Sequence, residues 1–389
     1  FLGEEGLEAA RNIRDQNFPK QTDGTHGLQI SAKQCVFSGS EDTSDIFTRQ
    51  VVINPVDSKR KNVSSSISWQ QTFGRPGEVK IESRLTNWRA YIFGNWAIPS
   101  VESTYNVPGT QDGLKIQVRG DYAYLVLNGG NPAFAIFDIS GAPAAPNLIG
   151  SHALPGTTPV NLTVSGNYAY LATQSDSQEL VVMDVSNPAV PTIVGSYNAS
   201  GGANANGIYV TSSLVYLVRT SSAANELFVI DVSNPTAPSF VGSLNLNAPG
   251  REIIVIGNYA YIASESDTQE LQVVTVSNPA SPVLLGAGSI NLPCTTNGLS
   301  IDGFGSTLIL GKQFTGTGTA SSGLYMVSTA PPYSPSAPGI LKGVSLIGNV
   351  NDISLGNSNS YAFLVTSLAA AEFRVMNIAS PNSPTSLGT

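Results

Sequence analysis

Gly166-Asn167-Tyr168-Ala169-Tyr170-Leu171 opens a phrase that continues through the polar hairpin Ser175-Asp176-Ser177-Gln178. It then runs Glu179-Leu180-Val181-Val182-Met183-Asp184-Val185-Ser186-Asn187-Pro188 and closes on Pro191-Thr192-Ile193-Val194-Gly195-Ser196. Related copies begin near Gly120, Ser212 and Gly257, and degenerate ones near Gly305 and Ser358. The anchors Tyr124, Tyr170, Tyr216 and Tyr261 are 46, 46 and 45 residues apart, with Asp138, Asp184, Asp231 and Thr275 in step. A period of this length is that of a four-stranded propeller blade.

Each copy divides into four strand-length pieces, which in the second are Val160 to Val164, Asn167 to Thr173, Glu179 to Val185 and Thr192 to Tyr197. Tyr168, Tyr170 and Ala172 alternate with Ala169, Leu171 and Thr173, so both faces of the strand are suited to burial. A lone blade buries neither face, whereas stacked blades in a ring bury both and leave short edges. The expected fold is therefore mainly β: a propeller of six blades, or seven, with repeats starting near residues 113, 160, 205, 250, 297 and 350. Residues 96 to 106 match the outer strand Asn187 to Asn198 and are expected to seal the ring; the chain end, Ser383 to Thr389, competes for that role.

Asp-Val-Ser-Asn-Pro offers oxygens to a metal, but it also builds a turn. Asp and Asn bond nearby backbone, and Pro ends a strand by removing a ladder donor. Thr275 in place of Asp suits a turn and would spoil a repeated cation ligand.

These phrases, in particular Leu180-Val181-Val182-Met183-Asp184 and Leu227-Phe228-Val229-Ile230-Asp231, resemble the LVIVD-type repeats of bacterial and archaeal β-propellers. The resemblance covers residues 96 to 389. It implies a propeller and a surface or secreted setting, and it supplies no uniform catalytic motif.

Composition marks a second unit. Of 389 residues only 12% are charged, while Gly (38) and Pro (24) abound, as in short strands joined by turns. Residues 1 to 95 hold 12 Lys/Arg against 11 Asp/Glu, and the remainder holds 7 against 16. A boundary is expected at residue 92 or 93. The acidic larger part disfavours nucleic acid and anionic lipid as partners. Lys59-Arg60-Lys61 is expected at a solvated hairpin tip.

In residues 1 to 92, Leu2, Leu7, Ala10 and Ile13 share one helical face over residues 1 to 16, and Asn17-Phe18-Pro19 ends it. Strands are expected at Phe47 to Ile53, Val63 to Trp69 and Glu78 to Leu85. Glu5-Gly6-Leu7-Glu8-Ala9-Ala10-Arg11-Asn12-Ile13-Arg14-Asp15, with Phe47-Thr48-Arg49-Gln50-Val51, Ser68-Trp69 and Leu85-Thr86-Asn87-Trp88-Arg89, resembles type IV pilins and pilin-like proteins. That resemblance implies other pilin subunits as partners and a membrane anchor, but the apolar run of about 20 residues that would supply the anchor is absent from this chain. An opening at Phe1 without Met is expected to be a mature or trimmed end.

Chemistry is sparse. His26 is expected in a linker and His152 on an outer strand, neither as ligand or base. Cys35 and Cys294 are either two free thiols or one interdomain disulfide. The sequons at Asn62, Asn161 and Asn198 decide nothing. No cofactor is expected. A small ligand such as a sugar, peptide or cation would sit in the central channel, lined by Asp112, Lys115, Asn161, Asn206, Arg251, Glu252, Asn297 and Asp352. The leading expectation is a non-catalytic, extracellular, pilus-associated adhesion module that binds surface proteins or glycans through its loops. Its rivals are a filament subunit decorated by a propeller and a propeller hydrolase or lyase acting on extracellular polymer.

Overall fold

The computed structural model describes residues 6–7, 9–11, 23–31, 34–57, 60–70, 76–86, 104–140, 146–220, 224–292, 296–313, 322–356, 360–369 and 371–388. The chain divides into two compact units, Phe1–Trp96 and Ala97–Thr389.

The larger unit contains six four-stranded antiparallel sheets in sequence order. Together with one N-terminal sheet they make seven sheets in the described chain. Their first strands are Gly113–Arg119, Pro159–Ser165, Ala205–Thr211, Gly250–Ile256, Gly298–Phe304 and Val350–Leu355. These six are the inner strands, and they surround one cavity that takes lining residues from every sheet. Side by side packing of inner strands joins the first sheet to the second, and so on to the sixth.

Burial follows the two-faced alternation. One apolar cluster fills the junction of sheets one and two, with Val126, Phe134, Leu171 and Met183 fully buried. Others fill the second to third junction (Leu180, Leu217), the third to fourth (Val229, Ile262), the fourth to fifth (Leu271, Leu310) and the fifth to sixth (Ile309, Leu364). Each such side chain contributes about 2 kcal/mol by leaving water. No comparable cluster joins the sixth sheet to the first among the described residues. There Leu114, Ile116 and Val118 on the first inner strand are 42%, 57% and 58% exposed, and Val365 and Phe373 on the last sheet are 48% and 41% exposed. Among the described residues the ring has one open seam.

The expectation that residues 96 to 106 seal the ring meets the described structure at residues 104–106 alone. The last sheet takes Thr385–Gly388 as its outer strand, paired to Phe373–Asn377. Residues 104–106 form no strand, and Tyr105 instead sets its ring edge-on to Phe137 of the first sheet at 5.2 Å. Residues 96–103 lie outside the described residues.

Turn chemistry recurs as the sequence requires. The Ser140, Ser186 and Ser233 N–H groups donate to Asp138, Asp184 and Asp231 Oδ1 at 2.8, 2.8 and 2.7 Å, closing the same turn in three sheets. The glycine of Val-Gly-Ser has a different cause: a Cβ on Gly195 would lie 2.2 Å from the Pro235 carbonyl of the next sheet. Only Gly lets the neighbouring turn approach so closely.

In the smaller unit the sheet orders Gln34–Ser38, Gly24–Ser31, Phe47–Asp57, Arg60–Gln70 and Pro76–Thr86, with Asp42–Ser44 also pairing to Phe47–Asp57. Its core holds Leu7, Ala10, Val51, Ile53, Val63 and Leu85. Three of these strands fall in a stretch whose polarity gives no strand pattern. His26, expected in a linker, stacks on Phe37 with ring centroids 4.6 Å apart. Lys61, expected at a solvated tip, is buried and lies 2.8 Å from Asp23 Oδ1. Helix is described at Gly6, Leu7 and Ala9 to Arg11 alone, so the long N-terminal helix that the pilin resemblance calls for is not seen among the described residues. Cys294 and the side chain of Cys35 lie outside what is described. No helix among the described residues is long and apolar enough to cross a membrane.

Candidate functional site

Every inner strand begins with a bulge. Pairing with the second strand slips by one residue after Gly113, Pro159, Ala205, Gly250, Gly298 and Val350. The extra residue in each is Leu114, Val160, Asn206, Arg251, Leu299 or Asn351, and all six line the central cavity. A bulge re-aims side chains that strict alternation would send elsewhere. The next residue in each strand is Lys115, Asn161, Gly207, Glu252, Ser300 or Asp352. The cavity has a volume of about 630 Å³.

Of the eight residues expected to line the channel, Lys115, Asn161, Asn206, Arg251, Glu252 and Asp352 do so. Asp112 does not: its backbone N–H donates to Asn128 Oδ1 at 2.6 Å, and Asn128 Nδ2 donates to Asp112 Oδ2 at 2.9 Å, in the loop outside. Asn297 is also displaced, its carbonyl accepting the Gln313 N–H at 2.8 Å, and Leu299 takes its place.

The centre is an ionic cluster. Lys115 Nζ donates to Glu252 Oε1 at 2.7 Å, across the ring from sheet one to sheet four, and to Asp352 Oδ1 of sheet six at 2.6 Å. Burial alone would lower the Lys115 ammonium, but the two carboxylates outweigh it and hold its pKa above the ordinary lysine range. Burial pushes Glu252 up, and Lys115 draws it back only in part. Arg251 pairs with Glu265.

Around this cluster, side chains of one inner strand bond the backbone of the next. Gln117 Oε1 accepts the Val164 N–H at 2.7 Å, and Asn206 Nδ2 donates to the Gly250 carbonyl at 2.9 Å. Glu252 Oε2 accepts the Ile301 N–H, and Asp302 Oδ2 the Leu355 N–H, both at 2.9 Å. Gln117 and Asp302 escaped sequence reasoning, because their register depends on the bulges.

A second repeated device also escaped it. Glu179, Glu226 and Glu270, each immediately before a third strand, accept the N–H of Ala199, Leu246 and Leu292 at 2.8 Å. The carboxyls thereby latch the segment leading to the next sheet. Arg219, fully buried, lies 3.6 Å from Glu179 and donates to the carbonyls of Ala199, Ser200 and Asn225. Burial raises Glu179 and Glu270 above the usual carboxylate range. Their near-periodic recurrence in the sequence was the available signal.

Among the described residues no three His, Cys, Asp or Glu side chains gather as a metal centre. The Asp of the repeated phrase is occupied by its turn.

Comparison with known proteins adds the following. The LVIVD repeat model matches residues 112–153, 159–199, 222–245 and 250–288, which fall in the first four sheets. No curated protein matches the chain. Among solved structures, the periplasmic gluconolactonase of Pseudomonas aeruginosa is similar with a TM-score of 0.58 at 11% identity, over 88% of this chain and 94% of that one. A putative 6-phosphogluconolactonase from Bacteroides uniformis is similar with a TM-score of 0.51 at 10% identity, over 88% and 95%. A chain of a mitotic checkpoint complex is similar with a TM-score of 0.51 at 12% identity, over 86% and 84%. At such identities the likeness is one of fold, a β-propeller type repeat protein.

Proposed function

We propose that this chain is a non-catalytic interaction module working outside the cell or at its surface, holding surface proteins or glycans on the loops of its propeller. The observation that supports this reading best is the pairing at the centre of the ring. Lys115 is shared by Glu252 and Asp352, so the strongest charges of the cavity are engaged with one another. The well-packed junctions make a rigid frame, and loops on a rigid frame are common binding surfaces. The pilus-borne form of this reading rests on the helix expected over residues 1 to 16, of which the described residues Gly6, Leu7 and Ala9 to Arg11 are helical.

The test is a glycan and protein array screen of the full chain beside an Arg251→Ala/Glu252→Ala variant. Binding that survives the double change places the partner on the loops. Turnover of a polymer or lactone by the wild-type chain overturns the reading.

One observation favours a second reading, a hydrolase acting through the channel. Glu252 is a carboxyl raised by burial in a cavity beside a cation, a combination frequent at active sites. Two of the similar folds bear gluconolactonase names. Hydrolysis that disappears in Glu252→Gln, with the fold intact by circular dichroism, would establish this alternative.

A further inference from the structure

The sheet of the smaller unit ends on the 11-residue strand Pro76–Thr86, and among the described residues no strand pairs to its outer side. Strands in globular proteins usually run to about five or six residues, so this edge is a long one. It is also flat, since its pairing to Arg60–Gln70 runs from Arg60 with Thr86 to Gln70 with Pro76 without a bulge. Pro76, which has no N–H to donate, stands at its first position, where a ladder tolerates it. Long flat edges are the ones that recruit another strand.

The charges on this edge select which strand. One face of it carries Glu78, Lys80, Glu82 and Arg84, alternating in sign and all exposed. Opposite them on the inner neighbour stand Ser68, Ser66, Ser64 and Asn62, all neutral. Lys80 therefore turns along its own strand to Glu82 at 2.6 Å, and Arg84 Nε donates to Asn62 Oδ1 at 3.1 Å. Charges that protect an edge repel a second copy. These do the reverse. When two copies meet antiparallel about a two-fold axis at Ile81, Glu78 faces Arg84 and Lys80 faces Glu82, each twice.

The same pattern rejects the neighbouring registers. A slip of two residues one way sets Lys80 on Lys80 and Glu78 on Glu82, and the other way sets Glu82 on Glu82 and Lys80 on Arg84. Opposite charges across a pair of strands stabilise it and like charges destabilise it, so one register is favoured over both. A slip of one residue would turn the charged face of one copy to the other side of the sheet, which the two-fold axis forbids. On the second face Ile81 meets its copy, and Val79, 52% exposed, gains cover. The smaller unit is nearly balanced in charge, 12 Lys/Arg against 11 Asp/Glu over residues 1 to 95, so no broad repulsion opposes the approach.

We infer that the edge strand Pro76–Thr86 is a docking surface for a second copy of this chain, pairing with itself about Ile81 so that one sheet continues through the smaller units of a symmetric dimer. This goes beyond the loop-based reading above and does not depend on it.

The experiment is sedimentation equilibrium of the full chain over a wide concentration range, with two charge variants beside it. Glu78→Lys/Glu82→Lys makes the four positions all positive, and Lys80→Glu/Arg84→Glu makes them all negative. The expected result is a reversible dimer of the wild-type chain and self-association at least tenfold weaker in each variant. An equimolar mixture of the two variants regains the dimer, because every facing pair is then opposite in sign. A wild-type chain that stays monomeric into the high micromolar range, a dimer unchanged in both variants, or a mixture that stays monomeric overturns the pairing. Melting curves of each variant, matched to wild type, separate a lost interface from a lost fold. Array binding measured on either variant reports separately on the interaction module.

Discussion

Lys115 Nζ and Asp352 Oδ1, on the first and last inner strands, lie 2.6 Å apart and bridge the one junction that no apolar cluster fills among the described residues. Ring closure here is ionic where elsewhere it is hydrophobic. Breaking a partly buried pair leaves like charges facing each other, so Lys115→Met is expected to cost about 3 kcal/mol. The triple change Lys115→Met/Glu252→Gln/Asp352→Asn should recover most of that. Denaturant unfolding of the three proteins measures both.

The same cluster sets an alkaline limit. Lys115 has a raised folded-state pKa, so its contribution is fully present below the unfolded value of 10.5 and is lost as pH climbs beyond it. The wild-type unfolding midpoint should therefore fall more steeply above pH 10.5 than that of Lys115→Met.

On the acid side two groups of carboxyls act in opposite directions. Glu179 and Glu270, raised by burial, bind more protons folded than unfolded as pH falls from neutral toward 4.5, so acidification there stabilises the fold. Asp138, Asp184 and Asp231, lowered by bonds from Ser140, Ser186 and Ser233, retain their contribution above 3.8 and lose it as pH falls through their depressed values. A stability maximum in mildly acidic solution is expected. In Glu179→Gln/Glu270→Gln the rise between pH 7 and 4.5 should flatten, as read from urea midpoints.

Glycine positions give two opposite expectations. Gly195→Ala forces a Cβ onto the Pro235 carbonyl and should destabilise by about 1–3 kcal/mol, as overpacking does. Gly166 and Gly257 hold φ of +59° and +60° in the hairpin that opens their repeats, and Ser212 holds +53° at the same place. Ser212→Gly should therefore stabilise by up to about 1 kcal/mol, since a residue with a Cβ is strained in that region. Thermal unfolding of both variants decides the pair.

The repeat was legible because Tyr170 and its counterparts report a two-faced strand, a property local alternation encodes directly. The turns were legible because Asp184 and Asn187 act within a few residues of themselves. The channel was legible only in part. A bulge at Pro159 or Gly298 is a pairing event between strands and leaves no mark on alternation, so Asn297 was expected where Leu299 stands. Lys61 and His26 were misplaced for a related reason, since polar strands such as Gly24–Ser31 carry no period-two signal. The seam was invisible because it depends on which segment covers the first sheet: Tyr105 lies on Phe137, and residues 104–106 form no outer strand.

That no sixth apolar junction is found among the described residues has a thermodynamic consequence. A ring whose sheets each have two hydrophobic neighbours must be broken somewhere in its interior to unfold, whereas here sheets one and six each have one such neighbour and meet each other through the Lys115–Asp352 pair. Nearest-neighbour coupling then makes it behave as a finite row. Amide exchange should be fastest in sheets one and six and slowest in sheets three and four, a gradient with fraying ends that a seamless circle would not show.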